Sequence, residues 1–469
     1  MRELWELSVE EQAGLVRSGD VSPVETIQAS LDRIEQLDDG LNAFVHVCRE
    51  RALEEARIQE KVLRSGQEVG PLAGVPAGIK DLEDVAGLPT TFGSMAFRDY
   101  TASRDSVQVE RLRAAGAIVV GKTNTPEFGY TGFTKNRVFG VSRNPWNPDR
   151  TPGGSSGGSA AAIAARMVPL ATASDGGGSV RIPACYVGAF GMKPSFGRVP
   201  LGPEPRQMLH WMDTVHHGPL TRSIRDAALM LDLTAGYHPA DPDSLPAPST
   251  SYLQCLDQPL PRLRIAFSRD LGYARVQSDV MREVRAGVDA LAALGHDVEE
   301  ISTPFPDLGR GWAFSVGAEL YAELAREVAG REHELGRSFW DGTVAASHLT
   351  ALQLGDIQRE RHRLNEVLWR LFERFDLLAT PTLPTEAFPA AGPFPSHVDG
   401  EALDSPLHAV AFTYPFNMSG HPAASLRAGF TDSGLPAGLQ IVAPRHRDDL
   451  ILQVAAAYDR VRPMDRWPL

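Results

Sequence analysis

Residues 151–188 read TPGGSSGGSAAAIAARMVPLATASDGGGSVRIPACYVG. Two glycine-flanked serine clusters stand either side of an alanine-rich run and an apolar, β-leaning segment. Glycine is entropically costly to order and leaves backbone amides uncovered. Two such loops are linkers, phosphate cradles, or two halves of a serine site.

The first loop, Gly153-Gly154-Ser155-Ser156-Gly157, matches G-x-S-x-G. That motif marks a nucleophile elbow only when a strand enters it and a helix leaves it. The helix is there in SAAAIAARM. The strand is not, because RNPWNPDRTP carries Pro145, Pro148 and Pro152, and proline is excluded from central strands. A P-loop needs Lys followed by Ser or Thr after its last glycine; here Ser159 and Ala160 follow Gly158. The second loop, DGGGS, sits between two apolar segments, as though the backbone closes tightly around something. Gly176, Gly177, Gly178 and Ser179 offer successive N–H groups, the arrangement that stabilises an oxyanion. Ser179 would then be a nucleophile beside its own oxyanion hole.

A serine nucleophile needs a base. His210, His216 and His217 lie nearest downstream, and none stands in a context that marks a triad member. Lysine occurs only at positions 61, 80, 122, 135 and 193, so Lys80 in PLAGVPAGIKDLEDVAG is conspicuous. The apolar run before it predicts burial, and desolvation drives a lysine toward neutrality, where it becomes a competent base. The alternative is an ion pair with Asp81, Glu83 or Asp84.

The rest of the chain sets the frame. It has 469 residues, 43% hydrophobic and 22% charged, the make-up of a soluble globular protein with a large core. The net charge of −13 disfavours broad nucleic-acid binding, which depends on neutralising phosphates. Cys48, Cys185 and Cys255 form no CxxC pair or Cys/His run, so no metal is expected. The N-terminus lacks a basic segment followed by an apolar one, and no run reaches about 18 apolar residues. A cytoplasmic protein with no membrane span is expected.

The spacing of Ile27, Leu31, Ile34 and Leu37 predicts a helix over 22–37, capped by Ser22 with Glu25 three residues on. SVQVERLRAAGAIVVGKTNT predicts a helix ended near Gly116, then a strand at 117–120. LRIAFSRD, a helix stopped at Gly295 and the stretch after it predict a β-α-β unit. A long helix from Ile357 runs into another strand at LLATP. Helices alternating with short apolar strands argue an α/β architecture with a mixed or parallel sheet. The proline-rich stretches 236–250 and 380–396 read as surface loops.

Taken together, GVPAGIKD, GGSSGGSAAA and DGGGSVRIPA resemble the amidase signature family. GKTNTPEFG, GAFGMKPSFGRVP, PFNMSGHPAASL and GLPAGLQIVAP extend the likeness over nearly the whole chain. The resemblance implies one α/β domain over 1–469, a large mixed twisted sheet flanked by helices on both faces. Its signature core covers about 70–235, with N-terminal helices at 1–65 and a C-terminal part at 236–469. It also implies a Ser–cis-Ser–Lys triad: Ser179 as nucleophile, Ser155 as bridging serine and Lys80 as base. Ser156, Asp175 and Arg181 match positions that hold the loops together. The family's reaction is amide hydrolysis through an acyl-enzyme, without metal or organic cofactor. Gly176 departs from the usual threonine or isoleucine, and Ser174 stands where threonine is common.

Within the family, the rival to a stand-alone amidase is the glutaminase subunit of a tRNA-dependent amidotransferase. That subunit must meet charged glutamine ends, yet Ala409, Val410 and Ala411 carry no charge where an acidic residue is usual. The expected substrates are small apolar or aryl amides, with esters and carbamates as further candidates. Phe133, Leu209, Trp211 and Met212 are the expected pocket walls, in a monomer or homodimer.

Overall fold

The structure, a computed structural model, describes residues 2–202, 213–464 and 466–469. The first long helix, Pro23–Leu41, begins as its sequence dictates. Ser22 Oγ accepts from Glu25 N at 3.1 Å, and the Glu25 carboxylate accepts from Ser22 N at 2.7 Å. This reciprocal cap satisfies two otherwise unpaired amides. The helix runs past the expected end to Leu41, where Asn42 takes a left-handed conformation and stops it.

Along the described chain the strands are β1 (Phe44–Val47), β2 (Pro76–Lys80), β3 (Ile118–Thr123), β4 (Lys135–Asn136), β5 (Gly140–Val141), β6 (Leu170–Asp175), β7 (Phe190–Lys193), β8 (His216–Thr221), β9 (Arg264–Phe267), β10 (Asp297–Glu300), β11 (Leu377–Pro381), β12 (His397–Val398), β13 (Glu401–Ala402), β14 (Ala423–Phe430) and β15 (Pro436–Val442). Eleven of them form one sheet in the order β1-β3-β2-β6-β8-β7-β14-β15-β11-β9-β10, while β4/β5 and β12/β13 pair separately. The sheet is mixed: β2 runs parallel to β3 and β6, and β9 runs parallel to β10 and β11. The remaining pairs, such as β6/β8 and β14/β15, are antiparallel. The expected β-α-β unit is β9, helix Ser278–Ala293 and β10. The strand expected at 117–120 is β3, which extends to Thr123 because buried Lys122 and Thr123 find polar partners.

Alternate residues of the sheet enter different cores. Ile265 and Phe267, Leu377 and Ala379, and Leu439 and Ile441 pack in one cluster with Val284, Leu291 and Ile451 of two covering helices. Ala266, Leu378 and Val442 enter another with Leu364, Leu368, Tyr414 and Phe416. A period of two with both sets apolar is what a sheet covered on both faces requires.

The alanine-rich run is the helix Gly157–Ala164, buried at every residue. Its glycines let it approach the sheet: a Cβ on Gly158 would lie 2.2 Å from Asn124 N and 2.5 Å from Ala43 O. The helix therefore starts beside the end of the sheet where β2 and β6 finish, and its entry loop carries Ser155 there.

Candidate active site

Strand β2 ends on Lys80, whose side chain is completely buried. Its N–H donates to Thr172 Oγ1 of β6 at 2.9 Å, which fixes the end of the strand. Lys80 Nζ lies 2.7 Å from Ser155 Oγ and 2.9 Å from Ser174 Oγ. Burial pushes the Lys80 ammonium down to about 7, with the charges of Glu83 and then Asp175 opposing. None of the alternative partners is hydrogen-bonded to Lys80 among the described residues, and two are committed elsewhere. Asp81 pairs with Lys122 at 3.1 Å, Asp84 accepts from Tyr100 Oη at 3.1 Å, and Glu83 faces His217 Nδ1 at 3.4 Å.

Ser155 is entered through a cis Gly154–Ser155 peptide. A Cβ on Gly154 would sit 2.6 Å from Phe133 N, so only glycine fits there. Ser156 Oγ donates to Ser174 O at 3.4 Å, tying the first loop to β6.

The second loop leaves β6 at Asp175 and enters the helix Arg181–Val187. Asp175 organises it. Its carboxylate accepts from Gly178 N at 2.6 Å, Val180 N at 3.2 Å, Asn417 Nδ2 at 2.8 Å, and Arg181 Nε and Nη2 at 3.0 Å. Burial alone would raise this carboxyl, but the Arg181 charge and the Arg181 and Asn417 hydrogen bonds hold it well below the usual carboxylate range. Arg181, also buried, donates further to Gln440 Oε1 at 2.8 Å and Thr413 O at 2.9 Å.

Two peptide planes of the loop are clamped from elsewhere. Trp312 Nε1 donates to Gly176 O at 2.8 Å, and Thr413 Oγ1 donates to Gly177 O at 2.6 Å. The Trp312 indole covers Gly177, where a Cβ would lie 2.1 Å from Cζ2, and stacks on Tyr414 with centroids 5.6 Å apart. Gly178 has φ +131°, and its Cβ position is filled by Thr413 Oγ1 at 2.4 Å. Four amides were expected to face an oxyanion. Gly178 N–H is turned to Asp175 instead, which leaves Gly176, Gly177 and Ser179 without a protein acceptor among the described residues.

Ser155, Gly176, Gly177 and Ser179 open on one cavity of about 230 Å³. Its walls include Phe128, Tyr130, Ile182, Val215, Trp312 and Phe394. Phe133 is not among them: its ring packs edge-on against Phe394, centroids 5.5 Å apart, one layer behind the wall. Leu209, Trp211 and Met212 lie outside the described residues, as does His210. His216 keeps Nδ1 2.8 Å from Thr214 O, and burial, then the Lys193 charge, drives it well below its ordinary value.

Several residues of the site escape sequence reasoning. Glu319 and Glu323, one turn apart on the helix Gly309–Leu324, bring carboxylates to the cavity. Trp312 belongs to the same helix. Thr413, Asn417 and Gln440 lie within or beside PFNMSGHPAASL and GLPAGLQIVAP, and that text was their only signal.

Similar proteins place the whole chain in a family. The family model described as Amidase matches residues 25–452. An acylamidase of Rhodococcus erythropolis is 38% identical, covering 97% of this chain and 96% of its own. A glutamyl-tRNA(Gln) amidotransferase subunit of Salinispora arenicola is 36% identical, covering 98% of each chain. Among solved structures, a bacterial aryl acylamidase of the amidase signature family superposes with a TM-score of 0.92 at 33% identity, over 97% of this chain and 96% of that one. The 6-aminohexanoate cyclic dimer hydrolase superposes at 0.89 and 32%, over 100% and 99%. This chain belongs to the amidase family, and its fold is that of the amidase signature enzymes.

Proposed function

We propose that this protein hydrolyses small apolar or aryl amides through an acyl-enzyme on Ser179, with esters and carbamates of the same class as further substrates. The observation that carries the reading is the buried Lys80, 2.7 Å from the Oγ of Ser155, which lines with Ser179 one largely apolar cavity. Near neutral pH a lysine held at about 7 is partly unprotonated, which suits a general base. It takes the Ser155 proton while Ser155 takes that of Ser179. The Ser179 oxygen attacks the carbonyl carbon, and the open amides of Gly176, Gly177 and Ser179 receive the developing negative charge. Collapse breaks the C–N bond as the proton returns through Ser155 to the leaving amine. Water then releases the acid by the same relay. Ser156, Asp175 and Arg181 hold the two loops in register.

Support for apolar or aryl amides comes from the lining aromatics, and from the acylamidase and aryl acylamidase among the similar proteins. The chain acts without partner chains, as a monomer or homodimer. A panel of anilides, aliphatic amides, aryl carbamates and glutamine tests the reading. Anilides are expected to be turned over well and glutamine poorly. Hydrolysis of glutamine with none of the anilides overturns it in favour of the amidotransferase glutaminase.

A further inference from the structure

Glu83 follows Lys80 in a tight turn, its N–H donating to Lys80 O at 2.9 Å. Its side chain is buried, and neither carboxylate oxygen accepts a hydrogen bond among the described residues. A buried carboxylate loses several kcal/mol of solvation unless something compensates, so an unbonded one calls for a reason. The group against it is His217 Nδ1 at 3.4 Å, also buried. His217 lies in β8 directly across from Ser174 of β6, and Ser174 Oγ is 2.9 Å from Lys80 Nζ. Lys80, Ser174, His217 and Glu83 thus come together where β2 and β6 end and β8 begins.

We propose that the buried Glu83–His217 pair is a positioning device for the base, its carboxylate steadying the ammonium that Lys80 becomes when it takes the relayed proton. This rests on the reading of Lys80 as base. The relay creates a positive charge at Nζ, which is fully buried, and a negative one on the substrate oxygen. The other nearby carboxylates are committed: Asp81 to Lys122, Asp84 to Tyr100, and Asp175 to Arg181 and Asn417. Of the charges acting on Lys80, that of Glu83 is the largest and that of Asp175 the next. No proton moves to Glu83. It stays a carboxylate while Lys80 gains the proton from Ser155, and again while Lys80 returns it toward the leaving nitrogen. His217 keeps the carboxylate facing inward.

The test is the pH dependence of anilide hydrolysis by wild type, Glu83→Gln and Glu83→Asp. Without the anion, Lys80 stays unprotonated to lower pH. Glu83→Gln is therefore expected to move the acid limb of kcat/KM down by about one pH unit or more, as removal of an adjacent opposite charge does. Its plateau kcat is expected to fall at least about tenfold, one pH unit of charge stabilisation expressed as rate. Glu83→Asp keeps the charge and returns the limb toward its wild-type position. An unmoved limb in Glu83→Gln, with Lys80→Ala inactive, overturns the inference alone. Full activity in Lys80→Ala overturns the functional reading instead. Where Glu83→Gln does not fold, it is repeated in a Lys80→Met background: folding restored there supports the pairing, and equal failure in both overturns it.

Discussion

Replacing Trp312 with phenylalanine isolates one hydrogen bond of the second serine loop. The indole N–H holds Gly176 O at 2.8 Å. That carbonyl shares its peptide plane with Gly177 N–H, and in a trans peptide the two point in opposite directions. Anchoring the carbonyl therefore aims the amide. Phenylalanine keeps a ring to stack on Tyr414 and cover Gly177, so the loss is mainly that of the donor. A neutral hydrogen bond contributes about 1–1.4 kcal/mol. Lost in the transition state, it lowers kcat by about 5–10-fold. The ceiling is set by complete loss of an oxyanion donor, about 3–4 kcal/mol. Steady-state kinetics on a small acetanilide and a bulky anilide check this: kcat should fall for both, with KM changing less than about twofold. An unchanged kcat, or a change confined to KM for the bulky substrate, would show that Trp312 is only a wall.

Gly176 is the one loop glycine with room for a side chain, since a Cβ there meets only Val215 Cγ2 at 3.5 Å. Gly176→Ala should fold with unchanged or slightly raised stability, and Gly176→Ile should lower kcat/KM for bulky anilides more than for acetanilide, read from the same kinetic pair. Arg181→Met leaves the buried Asp175 carboxylate without its cation and should cost about 3–5 kcal/mol in urea unfolding. Because the folded Asp175 carboxyl is held below its ordinary 3.8, its contribution is present above that pH and is lost as pH falls through and below it. The acid sensitivity of wild-type unfolding should be correspondingly weaker in Arg181→Met.

Sequence reading reached the fold through local signals that survive into the structure. The Ser22 cap, the apolar spacing from Ile27 and the glycine stop at Gly295 depend on near neighbours. So do the loop serines and the apolar run that buries Lys80. What escaped was set by long-range packing. Trp312 contacts Gly176 across 136 residues of chain, and Asn417 contacts Asp175 across 242. The helix Gly309–Leu324 has no motif, so neither Trp312 nor the carboxylates of Glu319 and Glu323 announced their place. Gly178 looked like an oxyanion donor because a glycine run exposes every amide in sequence. Only the fold shows that Asp175 claims that one. Phe133 is aromatic and close in sequence to the cavity-lining Thr131 and Gly132, but its ring turns behind Phe394.

Covalent labelling of the nucleophile tests the central claim most directly. Intact-protein and peptide mass spectrometry after reaction with an aryl fluorophosphonate should show one adduct, on the peptide bearing Ser179. The adduct should be absent in Ser179→Ala and slowed by orders of magnitude in Lys80→Ala. An adduct on Ser155 or elsewhere, or amide turnover retained by Ser179→Ala, would contradict the assignment.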